Sequence, residues 1–245
     1  MCSKILAINI GNTNITCGLY KDKKLIFVQH IPTKTKDFKN YNIFGRKDIK
    51  YTVISSVVPS VTKTLKKNIK TRILEIKNSD VHIKNLYKKK SEVGIDRLLA
   101  SYSAREKYGP PLIIIDFGTA TTFNVVNKKG EFAGGVILPG IKMWGNFLYE
   151  NTDKLPKIKF KKVNNLIGKS TKDCIQIGAF YGNIEMIKGL MNKIKRVIGN
   201  NSKVIATGGA ANLMAPYING INIINLNLIL DGMVLVMGRY IWGRK

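Results

Sequence analysis

The sequence predicts an α/β protein made of two related units, each built on a mixed β-sheet. Short segments rich in β-branched residues alternate with longer segments of helical periodicity, which is typical of sheets covered by helices. A strand–turn–strand motif at the start of the chain recurs near its middle. Because Gly109-Pro110-Pro111 interrupts the chain just before the second copy, we expect one domain over residues 1–109 and another over residues 110–245.

The strands and helices follow from the same patterns. In the first domain we expect strands at 4–10, 16–20, 25–30, 51–58 and 71–76, and helices at 59–69 and 95–108. Pro59 is a favoured first residue of a helix, which fixes the start of the earlier one. In the second domain we expect strands at 112–116, 121–127, 131–138, 203–206 and 221–224, and helices at 139–149, 171–197, 210–214 and 226–242.

The two opening motifs match residue for residue. The segment Ile8-Asn9-Ile10-Gly11-Asn12-Thr13 corresponds to Ile115-Asp116-Phe117-Gly118-Thr119-Ala120. The offset of 107 residues continues without a gap, so that Thr16 corresponds to Phe123. In each copy an acid or amide stands before a glycine turn between two strands. Such a duplicated hairpin indicates two related domains that face a shared cleft.

The composition is strongly basic, with a net charge of +26 and a pI near 10.0. Lys, Asn and Ile are abundant together, as codon bias in an AT-rich genome would produce. The lysines are not interleaved with the aromatic residues on which nucleic-acid bases stack. We therefore expect weak, salt-sensitive binding to nucleic acids and no specific nucleic-acid partner.

Several segments bear on the compartment of the protein. Cys2, Cys17 and Cys174 are scattered, which predicts neither a disulfide framework nor a zinc site. The apolar run at residues 5–8 is too short for the core of a signal peptide. Polar residues interrupt the apolar segment at 221–242, which falls short of a membrane-spanning helix. We expect a cytoplasmic protein without a membrane partner.

The first candidate site is the turn Asn9-Ile10-Gly11-Asn12-Thr13-Asn14. A buried strand ends here at a glycine, which allows the backbone to approach a ligand closely. Backbone N–H groups and the hydroxyl of Thr13 are suitable donors to phosphate oxygens. An ordinary tight hairpin would use the same residue types.

The second candidate site begins at Asp116, in Asp116-Phe117-Gly118-Thr119-Ala120-Thr121-Thr122. A carboxylate at the end of a buried strand requires a cation or several hydrogen-bond donors. The threonines that follow supply further oxygen ligands. Asp116 could instead cap its own turn, but its correspondence to the first turn favours a ligand site.

The third candidate site is Gly94-Ile95-Asp96-Arg97, at the start of a predicted helix. Asp96 could act only as a helix cap. The neighbouring Arg97 favours a different interpretation, because a carboxylate can accept a proton while a guanidinium holds a substrate carboxylate.

Two glycine-rich turns, Gly134–Gly140 and Ala206–Ala211, could let a base or sugar lie against bare backbone, although close-packed turns use the same residues. The segment Gly168-Lys169-Ser170 resembles the end of a phosphate-binding P-loop. Because Val163 occupies the place of the first P-loop glycine and no buried strand precedes it, we reject a P-loop.

Taken in order, these motifs resemble those of the type III pantothenate kinases, which belong to the acetate and sugar kinase, heat-shock chaperone and actin superfamily. The resemblance runs nearly end to end and includes Ser55-Ser56-Val57-Val58-Pro59, Thr152 before Leu155-Pro156, and Thr207-Gly208-Gly209. It implies duplicated ribonuclease H-like (actin-like ATPase) domains with mixed sheets and a cleft between them. It also implies ATP-dependent phosphorylation of pantothenate, the first step of coenzyme A biosynthesis.

The resemblance also implies roles for individual residues. Asp96 would be the catalytic base, and Asp116 would bind a monovalent cation, K⁺ or NH₄⁺, while Mg²⁺ accompanies ATP. The residues that would contact pantothenate are Tyr87, Gly94, Ile95, Arg97 and Thr171. The residues that would contact ATP are Asn9, Ile10, Gly11, Asn12, Thr13, Asn14, Ile15, Thr16 and Thr119. Members of the family are homodimers, so a homodimer is expected.

One position departs from the family pattern. Asn9 stands where the family usually has an aspartate that helps to hold Mg²⁺. An asparagine keeps one oxygen ligand but loses the negative charge, an attraction worth a few kcal/mol in a partly dry site. We expect retained but reduced activity, because Asp96, Arg97, Asp116 and Thr171 are all present.

Three alternatives stay open from the sequence. Another small-molecule kinase of the same superfamily would share both phosphate turns. A non-catalytic or weakened regulatory relative on the same scaffold is favoured by Asn9. The charge taken alone would fit a nucleic-acid-binding protein.

Overall fold

The structure, a computed structural model, describes residues 4–242. These residues form two compact units, one containing the described residues up to Glu106 and from Asn227 onward, and the other containing Lys107–Leu226. Cys17 is buried and Cys174 is exposed, and both are free thiols. Cys2 lies outside the described residues.

The first unit contains a five-stranded sheet in the order β3-β2-β1-β4-β5. Its strands are β1 (Lys4–Ile10), β2 (Asn14–Lys21), β3 (Lys24–Pro32), β4 (Ile49–Ser56) and β5 (Arg72–Glu75). The first three are antiparallel, whereas β4 and β5 run parallel to β1. Its helices are α1 (Pro59–Lys66), α2 (Ile95–Tyr108) and α6 (Leu228–Trp242).

The second unit repeats this arrangement in the order β10-β9-β6-β7-β8. Its strands are β6 (Leu112–Phe117), β7 (Ala120–Val126), β8 (Phe132–Pro139), β9 (Lys203–Thr207) and β10 (Ile223–Ile224). Here β6, β7 and β8 are antiparallel, and β9 and β10 run parallel to β6. Its helices are α3 (Ile141–Glu150), α4 (Thr171–Ile198) and α5 (Ala211–Met214).

The two sheets therefore have the same strand order and directions, which confirms the predicted duplication. Each central strand is buried on both faces, as expected for a strand between parallel and antiparallel neighbours. In β1, Leu6, Ile8 and Ile10 pack with Leu65 of α1 in one hydrophobic cluster. In β6, Ile113 and Ile115 pack with residues of α4 and α5 in a second cluster.

The register of the second hairpin differs from the ungapped match of the sequence. Asn9 pairs with Thr16 in the first sheet, but Asp116 pairs with Thr122 rather than with Phe123. The turn after β6 is one residue shorter than the turn after β1, because β7 begins sooner. Because successive side chains of a strand point to opposite faces of the sheet, a one-residue shift in register places each side chain on the other face. Phe123 accordingly points into the core, fully buried.

The closing helix belongs to the first unit, whereas the sequence-based division assigned residues 110–245 to a second domain. Helix α6 packs on β1 and β4. The hydroxyl of Tyr20 donates a 2.7 Å hydrogen bond to Oδ1 of Asp231 at the start of this helix. The order of elements in the sequence does not predict this placement, because more than 170 residues separate α6 from β1 and β4.

Helix α4 is the longest, with 28 residues. Within residues 4–242, none of the helices combines the length and the apolar character needed to cross a membrane.

Gly232 fixes the distance between α6 and α2. A Cβ at this position would lie 2.4 Å from the carbonyl oxygen of Leu99, so Gly232→Ala must push the two helices apart. Overpacking of this kind costs about 1–3 kcal/mol, and we expect the midpoint of thermal unfolding to fall by roughly 2–10 °C.

The matched control is Gly189→Ala in α4, where the added methyl group would meet nothing within 4 Å. Because alanine favours a helix over glycine by about 1 kcal/mol, this variant should unfold at the same or a higher temperature. Equal losses in both variants would contradict the close approach of α6 and α2.

Candidate functional site

The turn between β1 and β2 is a tight, exposed loop. The N–H of Gly11 donates to the carbonyl of Asn14 at 3.0 Å and closes the turn. A Cβ at Gly11 would lie 3.2 Å from that same oxygen, which makes glycine the suitable residue. Asn12, Thr13 and Asn14 are exposed, so the turn is open to a ligand.

Thr33, which follows β3, supports this turn from behind. Its hydroxyl donates to the carbonyl of Gly11 at 2.7 Å, and its N–H donates to the carbonyl of Thr13 at 3.0 Å. In a trans peptide the N–H points opposite to the C=O, so the N–H groups of Asn12 and Asn14 face away from Thr33. Outward backbone N–H groups form anion-binding concavities. The sequence reasoning missed Thr33, a buried polar residue that directly follows β3, because the predicted strand ended at residue 30.

Two of the predicted ATP-contact residues have buried side chains. Ile10 and Ile15 are fully buried in the core of the first unit, so only their backbones could contact a ligand. Asn9 and Thr16 are half-buried and stand opposite each other on β1 and β2. Thr16 Oγ1 lies 3.2 Å from Nδ1 of His30 on β3.

Asp96 lies in the first turn of α2, beside Gly94. Its Oδ1 accepts a 2.8 Å hydrogen bond from the backbone N–H of Arg97. A Cβ at Gly94 would lie only 2.5 Å from this oxygen, so glycine makes room for the carboxylate. Burial raises the pKa of Asp96 above its ordinary value, although the N–H and the charge of Arg97 act in the opposite direction. A carboxylate with a raised pKa is better suited to accept a proton.

Arg97, the residue after Asp96, forms a polar pair with Tyr87. The guanidinium Nη1 donates to the hydroxyl of Tyr87 at 3.1 Å, and Cζ of Arg97 lies 5.8 Å from the centre of the Tyr87 ring. Tyr87 is held in turn by its N–H, which donates to Oδ1 of Asn85 at 3.0 Å. Arg97 is 8% exposed, and its planar charged group suits a carboxylate. Ile95 is buried, so its side chain belongs to the core.

In the second unit, Asp116 is the penultimate residue of the central strand β6 and lies in a crowded backbone environment. A Cβ at Gly208, after β9, would lie 2.2 Å from Oδ1 of Asp116, and one at Gly118 would lie 3.3 Å from it. Gly208 has a φ of +88°, which also favours glycine. The sequence placed Asp116 and the Gly208-Gly209 turn in separate motifs, and the structure brings them together.

Thr119 and Thr171 lie on exposed parts of the second unit. The carbonyl of Thr119 would be 2.1 Å from a Cβ at Gly140, so the turn after β6 packs closely on the start of α3. Thr171 is the first residue of α4, where Ser170 Oγ accepts from the N–H of Asp173 at 3.2 Å. Ser170 is thus a helix cap, which explains the misleading Gly168-Lys169-Ser170 sequence.

A family model described as type III pantothenate kinase matches residues 5–193, most of the chain. The chain belongs to this family. A relative named type III pantothenate kinase, from Desulforapulum autotrophicum, is 36% identical over 95% of this chain and 95% of its own. The family assignment agrees with the motifs at Asp96 and Asp116.

Solved structures show the fold. A Baf family protein from Campylobacter jejuni, described as a transcriptional activator, superposes with a TM-score of 0.66 at 21% identity, over 96% of this chain and 98% of its own. MreB5 of Spiroplasma citri bound to ADP superposes with a TM-score of 0.52 at 12% identity, over 98% of both chains. The fold is the duplicated ribonuclease H-like arrangement of the actin-like ATPases, as predicted.

The raised pKa of Asp96 gives a test of its environment. Below the ordinary pKa of an aspartate, the carboxyl group of Asp96 is neutral in both the folded and the unfolded chain. Burial of this group then has no electrostatic cost to stability. As the pH rises through the folded pKa, the buried charge lowers stability. We expect Asp96→Asn to raise the thermal unfolding midpoint by a few degrees near neutral pH and to have little effect in acid.

Asp22→Asn is the control, because Asp22 is exposed in the β2–β3 turn and its φ of +49° suits asparagine. Thermal unfolding of both variants is measured across the acidic to neutral range. A stabilisation by Asp96→Asn that is independent of pH would contradict the assigned cause.

Proposed function

We propose that the protein transfers the γ-phosphate of ATP to pantothenate and forms 4′-phosphopantothenate, the first step of coenzyme A biosynthesis. The observation that carries this proposal is the cluster of Asp96, Arg97 and Tyr87 in a chain that belongs to the type III pantothenate kinase family. Pantothenate carries a carboxylate and a primary hydroxyl, and the cluster offers a guanidinium and a carboxylate base.

In this proposal Asp96 accepts the proton of the attacking hydroxyl, which its raised pKa favours. Arg97 binds the carboxylate of pantothenate, and the hydroxyl of Tyr87 fixes the orientation of the guanidinium. Gly94 and the backbone of Ile95 shape the start of α2, while Thr171 offers an exposed hydroxyl at the start of α4. Positioning of this kind supplies much of the catalysis in phosphoryl transfer.

The residues from Asn9 to Thr16 are proposed to bind the phosphates of ATP, mainly through the backbone N–H groups that Thr33 turns outward. Thr119 is proposed as a further ATP contact from the exposed turn after β6. With a domain boundary proposed near residue 109, the turn at residues 9–16 belongs to the first domain and Thr119 to the second.

The kinase family implies ATP with a divalent cation. Among the described residues, no three His, Cys, Asp or Glu side chains are grouped to hold a metal ion. This suits Mg²⁺, which commonly binds through substrate phosphates, water and one or two protein oxygens. Asn9 would supply a neutral oxygen, and when bound Mg²⁺ neutralises the phosphate charge. Because Asn9 lacks the charge of an aspartate, we infer reduced rather than absent activity.

Asp116 is proposed to hold a monovalent cation, K⁺ or NH₄⁺. Its carboxylate lies against the backbone at Gly118 and Gly208, where glycine leaves room for a charged group at the strand end. Such a cation would offset negative charge in the site.

We further propose a homodimer located in the cytoplasm, with no specific nucleic-acid or membrane partner. Exposed large apolar side chains on α3, namely Met143, Phe147 and Tyr149, support a protein contact on this helix. Free cysteines suit a reducing compartment. Sedimentation of the native chain measures the oligomeric state, and a monomer at micromolar concentration would exclude the dimer.

A second candidate is a weakened or non-catalytic regulator on the same scaffold, which the neutral Asn9 favours. Another small-molecule kinase activity is the remaining alternative, and a panel of acceptor alcohols separates it from pantothenate phosphorylation.

Asp96→Asn should abolish phosphorylation of pantothenate while largely sparing ATP binding, because only the proton acceptor is lost. Loss of a general base lowers the rate by about 10²–10⁴-fold. The assay follows ATP-dependent formation of 4′-phosphopantothenate by mass spectrometry, with Asp22→Asn as the exposed control. Turnover near that of the native protein would refute the role of Asp96, and no turnover by the native protein would refute the kinase proposal.

Asp116→Asn should remove the dependence on monovalent cations. The native protein is expected to work in K⁺ or NH₄⁺ and to lose roughly tenfold or more of its rate in Na⁺ alone, a difference of about 1.4 kcal/mol. The variant should be slow in all three. Rates of the native protein that do not depend on the cation would contradict the assignment.

A further inference from the structure

Ser55 on β4 carries a buried hydroxyl. Its side chain is 0% exposed, and within residues 4–242 its Oγ has no hydrogen-bond partner. Leaving a buried hydroxyl unpaired costs about 1–3 kcal/mol. Oδ1 of Asn183 is also unpaired, but the Nδ2 of that amide donates to the carbonyl of Ala179 at 2.7 Å. Because Asn183 has one hydrogen bond through Nδ2 and the Ser55 hydroxyl has none among these residues, Ser55 is the better candidate for a residue that gains a partner when a ligand binds.

Ser55 stands beside Asn9. The two residues are register partners on the adjacent parallel strands β4 and β1, whose backbones lie about 4.8 Å apart. Their side chains share one face of the sheet with Ala7 and Val53, opposite the face that carries Ile8 and Ile54. Asn9 therefore lies between two hydroxyl side chains, Ser55 on one side and Thr16 on the other.

The same placement recurs in the second unit. Thr207 on β9 is the register partner of Asp116 on β6, and Thr207 is also buried. Since β9 and β6 correspond to β4 and β1 in the duplicated sheets, Thr207 is the equivalent of Ser55. In both units, a hydroxyl residue flanks the polar side chain at the penultimate position of the central strand.

We propose that Ser55 positions Asn9 for nucleotide binding, an inference that rests on the nucleotide site of the proposed function. A serine hydroxyl can accept a hydrogen bond from the amide Nδ2 of Asn9. An ionised aspartate at position 9 would have no N–H to donate. That bond holds the nitrogen of the amide toward β4 and leaves Oδ1 for the ligand side. The bond forms when the nucleotide with its divalent cation binds, and the unpaired hydroxyl of the free protein is then satisfied.

Ser55→Ala should have opposite effects on stability and on binding. Removing an unpaired buried hydroxyl should leave the free protein as stable or raise its unfolding midpoint. The affinity for ADP with Mg²⁺, measured by calorimetry, should fall about fivefold to tenfold, as loss of one hydrogen bond predicts. Ser55→Thr keeps the hydroxyl, as in Thr207, and should retain most of the affinity.

The matched control is Thr52→Val, on the same strand but the opposite face. The hydroxyl of Thr52 is already paired with that of Thr71 at 2.6 Å. This variant should lose stability and keep the native affinity for ADP with Mg²⁺. In an Asn9→Ala background, Ser55→Ala should cause no further loss of affinity, because its partner is gone.

A Ser55→Ala variant that is less stable but binds ADP normally would overturn the inference, and so would losses that simply add to those of Asn9→Ala. These experiments distinguish a failure of the role proposed for Ser55 from a failure of the kinase proposal. Native protein that binds ADP in a Ser55-dependent way but does not phosphorylate pantothenate refutes only the kinase proposal. Active native protein with unaltered binding in Ser55→Ala refutes only the role of Ser55, and native protein that does not bind ADP refutes both.

Discussion

The candidate site depends on glycines that let other groups approach the backbone closely near the ends of the two central strands. The carboxylate of Asp116 occupies the space that a side chain at Gly208 would fill, at 2.2 Å from the absent Cβ. The turn after β6 approaches Gly140 just as closely. Glycine at these positions makes this close approach possible, because it has no Cβ. A larger residue at either glycine would displace the turn and with it Asp116.

Duplication and divergence explain how the two units differ in chemistry. Asn9 and Asp116 are the penultimate residues of equivalent strands. They are flanked by Thr16 and Thr122 on one side and by Ser55 and Thr207 on the other. The geometry is shared, but only Asp116 carries a charge. The phosphate site proposed for the first unit would therefore use backbone N–H groups and neutral oxygens, whereas the cation site proposed for the second has a carboxylate.

Much of the fold could be predicted, because the strands follow from β-branched segments and the helices from their periodicity. The order of the glycine motifs also indicated the family. Three features depend on contacts between residues far apart in sequence and could not be predicted. These are the one-residue register shift at Thr122, the packing of α6 on the first sheet, and the support of Gly11 by Thr33.

The central claim is that the turn between β1 and β2 receives the phosphates of a nucleotide. A crystal structure of the protein with ADP and Mg²⁺ tests this claim most directly. The phosphate oxygens are predicted to accept hydrogen bonds from the backbone N–H groups of Asn12 and Asn14, with the carbonyls of Gly11 and Thr13 still bound to Thr33. Phosphates bound elsewhere, with this turn untouched, would contradict it.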